Sequence, residues 1–321
     1  MIDVRVYSNG RGVESHLPVT QISDTLEQDD HLVWVDVVSP TEGELTRLGE
    51  EFGFHPLAME DATKRHQRPK VDFYDDFLFI VFYALDIADG RPQTREMAIF
   101  AGKNYLVTVR DGAITAVDET VERWRGERPR HQQLSVGLLI YSLLDAIVDD
   151  YFPVIDWISE QIEDLEVRIF DHYERRAQAE IFGLKKNLLA VRRVLAPERD
   201  VMNVLVRPDS PVFGAETVVY FQDVYDHILR VTDAVDTYRD LLSSSLDALL
   251  SITSNHLNQV VKTLTSSSII LMTMTLVAGI YGMNFDNMPE LSWHFGYLWS
   301  LGLMAAIGVG LFIMFRRMDW F

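Results

Sequence analysis

Two charge-free apolar runs near the C-terminus set the narrowest limit on how this 321-residue chain folds. From Thr263 to Phe285, 23 residues pass without an Asp, Glu, Lys or Arg, and from Leu291 to Phe315 another 25 do. As helices rising ~1.5 Å per residue, both are long enough to cross the ~30 Å hydrocarbon core of a bilayer. Between them lies Tyr281-Gly282-Met283-Asn284-Phe285-Asp286-Asn287-Met288-Pro289-Glu290-Leu291, a polar turn that a two-span hairpin leaves at a membrane surface. Lys262 precedes the first run, Arg316-Arg317 closes the second, and Asp286 to His294 carries neither Lys nor Arg. The positive-inside rule therefore predicts cytoplasmic termini and an external turn in a cell membrane. Trp293, Tyr297 and Trp299 at the outer end, and Trp320 and Phe321 at the inner end, suit interfacial aromatic belts.

The rest of the chain reads as soluble. Its mean hydropathy is near zero, which allows two spans beside a large water-exposed portion. Met1-Ile2-Asp3-Val4-Arg5 has no apolar h-region, so no cleaved secretory signal is expected. The absence of cysteine excludes disulfides and cysteine metal sites. A formal charge of −19 repels nucleic acid and attracts cations. The nine histidines show neither metal-ligand nor triad spacing, and no phosphate loop is present, so an enzyme is not expected.

Three textures follow one another. Residues 1–130 read as an α/β domain, with short strands at Val4–Tyr7, Leu32–Val38, Phe77–Leu85, Met97–Phe100 and Tyr105–Val109. Ser39-Pro40-Thr41-Glu42 reads as a capping box that starts a helix from Pro40 to about Glu51, with Gly53 past its end. Gly90-Arg91-Pro92 and Gly102-Lys103-Asn104 read as hairpin turns. Residues 131–262 read as a helical stalk. Apolar spacing predicts helix from Leu134 to Phe170, kinked at or starting near Pro153, and a second helix from Glu174 to Leu195 that ends before Pro197. Pro208 and Pro211 mark a turn. The remaining segments are a first span at 263–284, an outer loop at 285–294, a second span at 295–315 and a basic tail at 316–321.

No Pro or Gly occurs from Ala215 to Ala278, so the third stalk helix and the first span read as one rod of ~65–70 residues, ~100 Å long. Its a and d positions are Phe221, Val224, Ile228, Val231, Val235, Tyr238, Leu242, Ser245, Leu249 and Ile252, a coiled-coil-like seam. His256 and Gln259 follow, and the seam loosens before the membrane. Running into the span, Asn258, Val261, Thr265, Ser268, Met272, Thr275 and Gly279 alternate at three- and four-residue spacing, which places them on one small, largely polar face. Such a face either packs on other helices or lines water. Two spans cannot enclose a conduit, so a water-lining stripe requires a ring of copies. The second span, with Gly302, Ala305, Ala306, Gly308 and Gly310, is then expected outside it, packed through small residues.

Tyr281-Gly282-Met283-Asn284 followed by Met288-Pro289-Glu290-Leu291 resembles the signature of the CorA family of divalent-cation channels. His66-Gln67-Arg68-Pro69-Lys70, Tyr141-Ser142-Leu143-Leu144-Asp145, Val148-Asp149-Asp150-Tyr151-Phe152 and Asp223-Val224-Tyr225-Asp226-His227 also resemble family stretches, so the likeness spans essentially the whole chain. The resemblance implies a homopentameric funnel: an α+β cytoplasmic domain (an α/β sandwich), long stalk helices, and two C-terminal transmembrane helices of which the first lines the pore. It implies that Asn284, beside Gly282 and Met283, is the selectivity residue at the outer mouth. Thr275, Met272, Ser268, Leu264, Val261 and Asn258 then follow down the pore. Leu264 takes a place that the spacing alone gives to Thr265, and Val261 stands where some relatives carry a bulkier Met. Five Asn284 amides offer uncharged acceptors to the outer waters of a hydrated Mg²⁺, an ion that dehydrates reluctantly. Gly282 is expected to allow a backbone conformation closed to larger residues. Asn284 alone also reads as a helix C-cap. Asp286 and Glu290 are candidates for attracting cations outside, and Val261, Leu264 and Met272 for gating by dewetting.

The resemblance further implies a regulatory site where cytosolic Mg²⁺ binds between subunits and holds the channel closed. Asp223 matches its helix carboxylate, with Asp86 and Asp89 of the neighbouring subunit as candidate partners. Asp226, Asp233, Asp240 and Asp247 recur every seven residues at f positions and read as a solvated face. No cofactor is expected: Mg²⁺, with Co²⁺ or Ni²⁺ as alternatives, is cargo and regulator. The partners are further copies of the chain and the bilayer. Competing readings are a ZntB-like zinc transporter and a membrane-anchored coiled-coil structural or sensor protein.

Overall fold

The computed structural model describes residues 1–8, 12–15, 22–26, 31–125, 134–171, 176–207, 212–286 and 288–320. The expected turn at Pro208 and Pro211 and the belt position of Phe321 lie outside them. The chain divides into two compact units, Met1–Arg168 with Arg176–Ser243, and Ile169–Arg175 with Ser244–Phe321.

The first unit is built on a seven-stranded sheet in the order β2-β1-β3-β7-β6-β5-β4. The strands are β1 (Ile2–Ser8), β2 (Gly12–Ser15), β3 (His31–Val38), β4 (Lys70–Phe73), β5 (Leu78–Ala88), β6 (Arg91–Ala101) and β7 (Tyr105–Arg110). Only β3 and β7 run parallel; the other neighbours are antiparallel. Alternation sends Val33, Val35, Val37, Phe79, Val81, Phe100 and Val107 to one face, where Phe54, Leu45, Leu48 and Ala58 cover them. Those residues come from the ends and inner faces of α2 (Glu42–Phe52) and α3 (Pro56–Lys64). The opposite face carries Trp34 and a buried polar chain: Trp34 donates to Thr108 Oγ1 (3.1 Å), which donates to Asp36 Oδ1 (2.7 Å). Arg110 forks onto both Asp36 oxygens (3.1 and 2.9 Å). β2 and β4 escaped the pattern because they are four-residue edge strands with charged positions, too short to alternate visibly.

Local chemistry corrects several boundaries. The capping box is Thr41 with Glu44, two residues later than expected, and Gly53 at φ 64 ends α2. Ser39 is unavailable as a cap because its N–H bonds Arg110 O and its hydroxyl bonds Asp111, just past the end of β7. The β5–β6 turn is Asp89-Gly90, both at positive φ, as a two-residue type I′ hairpin needs. The long helical stretch breaks at Asp150 into α5 (Val136–Asp149) and α6 (Tyr151–Asp171), which puts Pro153 in the first turn, where its missing N–H costs nothing. α7 (Ala177–Leu205) does not stop at Pro197; it continues two further turns. One lost ladder bond is outweighed there by burial of Pro197, Glu198, Val201, Met202 and Leu205. α1 (Ile22–Leu26) and α4 (Thr115–Arg125) complete the helices before the stalk.

α8 runs unbroken from Val218 to Tyr281, 64 residues, ~96 Å at ~1.5 Å each. Along the seam Phe221, Val224, Ile228, Val231, Val235 and Leu242 are buried, and the Phe213 ring packs tilted against Phe221 with centroids 4.9 Å apart. Asp226, Asp233, Asp240 and Asp247 are exposed on the other side, as a solvated face should be.

Candidate functional site

In the second unit the last part of α8 meets α9 (Gly296–Arg317), with Met274 against Gly308 and Thr263 bonded to the Trp320 carbonyl beyond its end. Both helices are long and apolar enough to cross a membrane. In α8, Ser266 is buried, Thr263, Ser267, Ile269, Ile270, Thr273, Met274 and Val277 are half-buried, and Met274 reaches Gly308 of α9. At ~100° per residue these positions centre ~180° away from Val261, Thr265, Ser268, Met272, Thr275 and Gly279. That stripe is exposed throughout, as are Asn258 and Leu264; Met272 is 68 % accessible. Leu264 and Thr265 flank its centre on opposite sides. α9 therefore covers the face of α8 opposite the stripe and leaves the stripe free.

The stripe's hydroxyls are arranged as acceptors. Ser268 Oγ donates to Leu264 O and Thr275 Oγ1 donates to Leu271 O, both at 2.8 Å. The single proton of each hydroxyl is thus used within the helix, and the oxygen lone pairs face outward. Nearer the turn, Met272, Thr275, Leu276, Gly279, Ile280 and Met283 line an open hollow of about 630 Å³. α8 ends at Tyr281; Gly282 N–H bonds Ala278 O (2.9 Å), Met283 N–H bonds Ile280 O (3.2 Å), and Asn284 is exposed beyond them. Gly282 is not in the left-handed region, contrary to expectation. Its smallness matters through contact instead: a Cβ there lies 3.1 Å from Ala278 O.

Asp286 is exposed and Glu290 half-buried, the latter in a 3-10 turn at Pro289–Ser292. The loop closes on Gly296, where a Cβ would lie 2.0 Å from Glu290 O. Of the small residues expected to pack the second span, only Gly308 is buried; Gly302, Ala305, Ala306 and Gly310 are exposed. At the inner end Trp320 stacks on Phe315 (5.2 Å) and its carbonyl accepts from Thr263 Oγ1 (3.2 Å), which folds it onto both helices.

A second constellation lies in the first unit. Asp145, Asp149 and His227 bring one ligand atom each within 4.8 Å of the others. Asp223 joins their edge: His227 Nε2 is 4.0 Å from Asp223 Oδ1 and its Nδ1 3.6 Å from Asp149 Oδ1. Burial, and then the Asp149 charge, raises the Asp145 carboxyl above its ordinary range, while Arg123 at 3.2 Å opposes that shift. The legible signal for this group was two i,i+4 pairs, Asp145/Asp149 on α5 and Asp223/His227 on α8, which face each other only in the fold. Asp86 is held by Arg95 (2.7 Å) and Asp89 shapes the hairpin turn; among the described residues neither bonds Asp223.

The family model for the CorA-like Mg²⁺ transporter protein matches residues 29–317. A cobalt/magnesium transport protein CorA of Thermotoga maritima is 36 % identical over 96 % of this chain and 87 % of its own length. A putative metal ion transporter, YfjQ, of Bacillus subtilis is 34 % identical over 100 % of this chain and 99 % of its own. The complete CorA magnesium transporter structure from Methanocaldococcus jannaschii superposes with a TM-score of 0.84 at 25 % identity, covering 99 % of this chain and 98 % of that one. The ZntB cytoplasmic domain from Vibrio parahaemolyticus shares the fold over 79 % of this chain and 99 % of its own, at 11 % identity and a TM-score of 0.65. With a sheet-based N-terminal unit, one long helix and two C-terminal apolar helices joined by the Gly-Met-Asn turn, this chain belongs to the CorA family of divalent-cation transporters.

Proposed function

We propose that five copies of this chain surround a conduit for hydrated Mg²⁺, with Co²⁺ as a second cargo. The observation that carries the reading is the free stripe of α8, with acceptor oxygens outward and α9 on the far side. A hydrated divalent ion presents hydrogens to its surroundings, so it is met by acceptors, which Ser268, Thr275, Asn258 and the Asn284 ring supply. Asn284, between Met283 and the outer loop, reads the incoming ion; an uncharged ring does not trap it. Asp286 and Glu290 raise its local concentration outside. Val261, Leu264 and Met272 are the apolar rings that close by dewetting. Both termini lie in the cytoplasm.

Cytosolic Mg²⁺ closes the conduit by bridging Asp223 of one subunit to Asp86 and Asp89 of the next, relieving repulsion in an acidic assembly. If Asp223→Ala left inhibition by internal Mg²⁺ unchanged, this regulation would be wrong. The test of the main reading is Mg²⁺ influx into proteoliposomes with the full chain and with Asn284→Ala. The expected result is influx in the first and its loss of selectivity or rate in the second. Equal influx in both removes Asn284 from the pathway, and transport of Zn²⁺ in preference to Mg²⁺ supports the ZntB-like alternative.

A further inference from the structure

We propose that Glu198 is a neutral carboxylic acid in the folded protein, and that its proton closes a hydrogen-bonded ring fastening α6 and α7 to the open edge of β5. The edge opens because β4 is short: its pairing with β5 runs from Phe73 opposite Leu78 to Lys70 opposite Val81. Tyr83 lies beyond that end, with a backbone N–H and C=O that no strand meets among the described residues. Two side chains take the strand's place. Tyr83 N–H donates to Glu198 Oε1 (2.9 Å), and the Tyr151 hydroxyl reaches Tyr83 O. The Tyr151 hydroxyl oxygen is also 2.9 Å from Glu198 Oε2.

Counting protons decides the state. A phenol has one O–H, and here it faces two oxygens, a carbonyl and a carboxyl. If Tyr151 donates to Tyr83 O, the contact with Glu198 Oε2 has no hydrogen unless Glu198 brings one. If Tyr151 donates to an ionised Glu198, its lone pairs face the Tyr83 carbonyl at hydrogen-bond distance and that acceptor is left unmet. A proton on Oε2 satisfies every group: Glu198 donates to Tyr151, Tyr151 to Tyr83 O, and Tyr83 N–H back to Glu198. Glu198 is 0 % exposed, and an ionised carboxylate there would be a buried charge without a counter-ion.

Among the described residues no cation bonds Glu198. From β5 and α6 the titratable groups facing Glu198 are Tyr83 and Tyr151. Behind them stand Glu96 of β6, on the Tyr83 hydroxyl (2.9 Å), and Asp150 beside Tyr151. Beside it on α7, Asp200 takes Arg68 at 3.8 Å and Arg199 at 3.9 Å, and all three of these side chains are exposed. Burial pushes the Glu198 carboxyl well above the ordinary glutamate range, against the lowering bonds from Tyr83 and Tyr151.

Because the folded form holds this proton more tightly than the unfolded chain, its contribution to stability is full below the ordinary glutamate range. It falls as pH rises, about tenfold in the folding constant per pH unit, until the folded acid ionises. Glu198→Gln tests this on the full chain in detergent. Its amide donates to Tyr151 and accepts from Tyr83, so the ring survives without a titrating proton. Infrared difference spectra at neutral pH, wild type minus Glu198→Gln, are expected to show one protonated-carboxyl C=O band that shifts in heavy water. The stability of Glu198→Gln relative to wild type is expected to rise with pH by about tenfold per unit. Absence of the band, or a stability difference that is flat or falls with pH, overturns the proposal. Should the variant not fold, loss of the same band from wild type on alkaline titration decides alone: a band that is absent at every pH overturns it.

Discussion

A methyl group at Gly296 would test how the outer loop is held. The Cβ of an alanine there lies 2.0 Å from the Glu290 carbonyl oxygen, where ordinary contact begins near 3.4 Å. The obstacle is backbone, so no rotamer change relieves it. Either the Pro289–Ser292 turn or the first turn of α9 shifts by about 1.4 Å, and overpacking of that kind costs ~1–3 kcal/mol. The native loop geometry then loses roughly 5- to 150-fold in population, at tenfold per ~1.4 kcal/mol. Gly302→Ala is the matched control: its Cβ meets nothing within 4 Å, and helix propensity favours it by up to ~1 kcal/mol. The assay is Mg²⁺ influx into proteoliposomes together with protease cleavage in the loop. Gly296→Ala is expected to lose influx within that range and to expose the loop, while Gly302→Ala does neither. If the two variants behave alike in both measurements, the close approach does not hold the loop and the reasoning fails.

Three further outcomes follow from single contacts. Thr275→Val keeps the shape and removes the outward acceptor; Mg²⁺ influx should fall while the melting temperature moves by no more than ~1 kcal/mol equivalent, and unchanged influx would take Thr275 out of the pathway. Asp36→Asn leaves the buried Arg110 guanidinium without its counter-charge and should cost ~3–5 kcal/mol in urea unfolding of the first unit. Phe221→Ala empties a fully buried seam position and should cost ~3–5 kcal/mol; a loss below ~1 kcal/mol would mean the seam is not packed as described.

The membrane hairpin was legible because hydrocarbon imposes a length and a charge rule that a linear sequence displays directly: two runs of 23 and 25 residues without a charge. The rod was legible for the same kind of reason, since heptad spacing with no Pro or Gly leaves a chain one local option. The stripe could be drawn on α8 from spacing alone. That it is the uncovered face required α9, because which side of a helix is buried depends on its neighbour. Short-range chemistry misplaced what tertiary contacts overrode: a cap moved from Ser39 to Thr41 because Ser39 bonds Asp111, and Pro197 failed to end α7 because the residues after it are buried. The acid pair on α5 and the Asp223/His227 pair on α8 are 74 or more positions apart, so their meeting belongs to the fold. So does the protonation of Glu198, which in sequence is one more carboxylate in an acidic chain. A side chain's charge is set by the water and partners around it, and folding alone decides those.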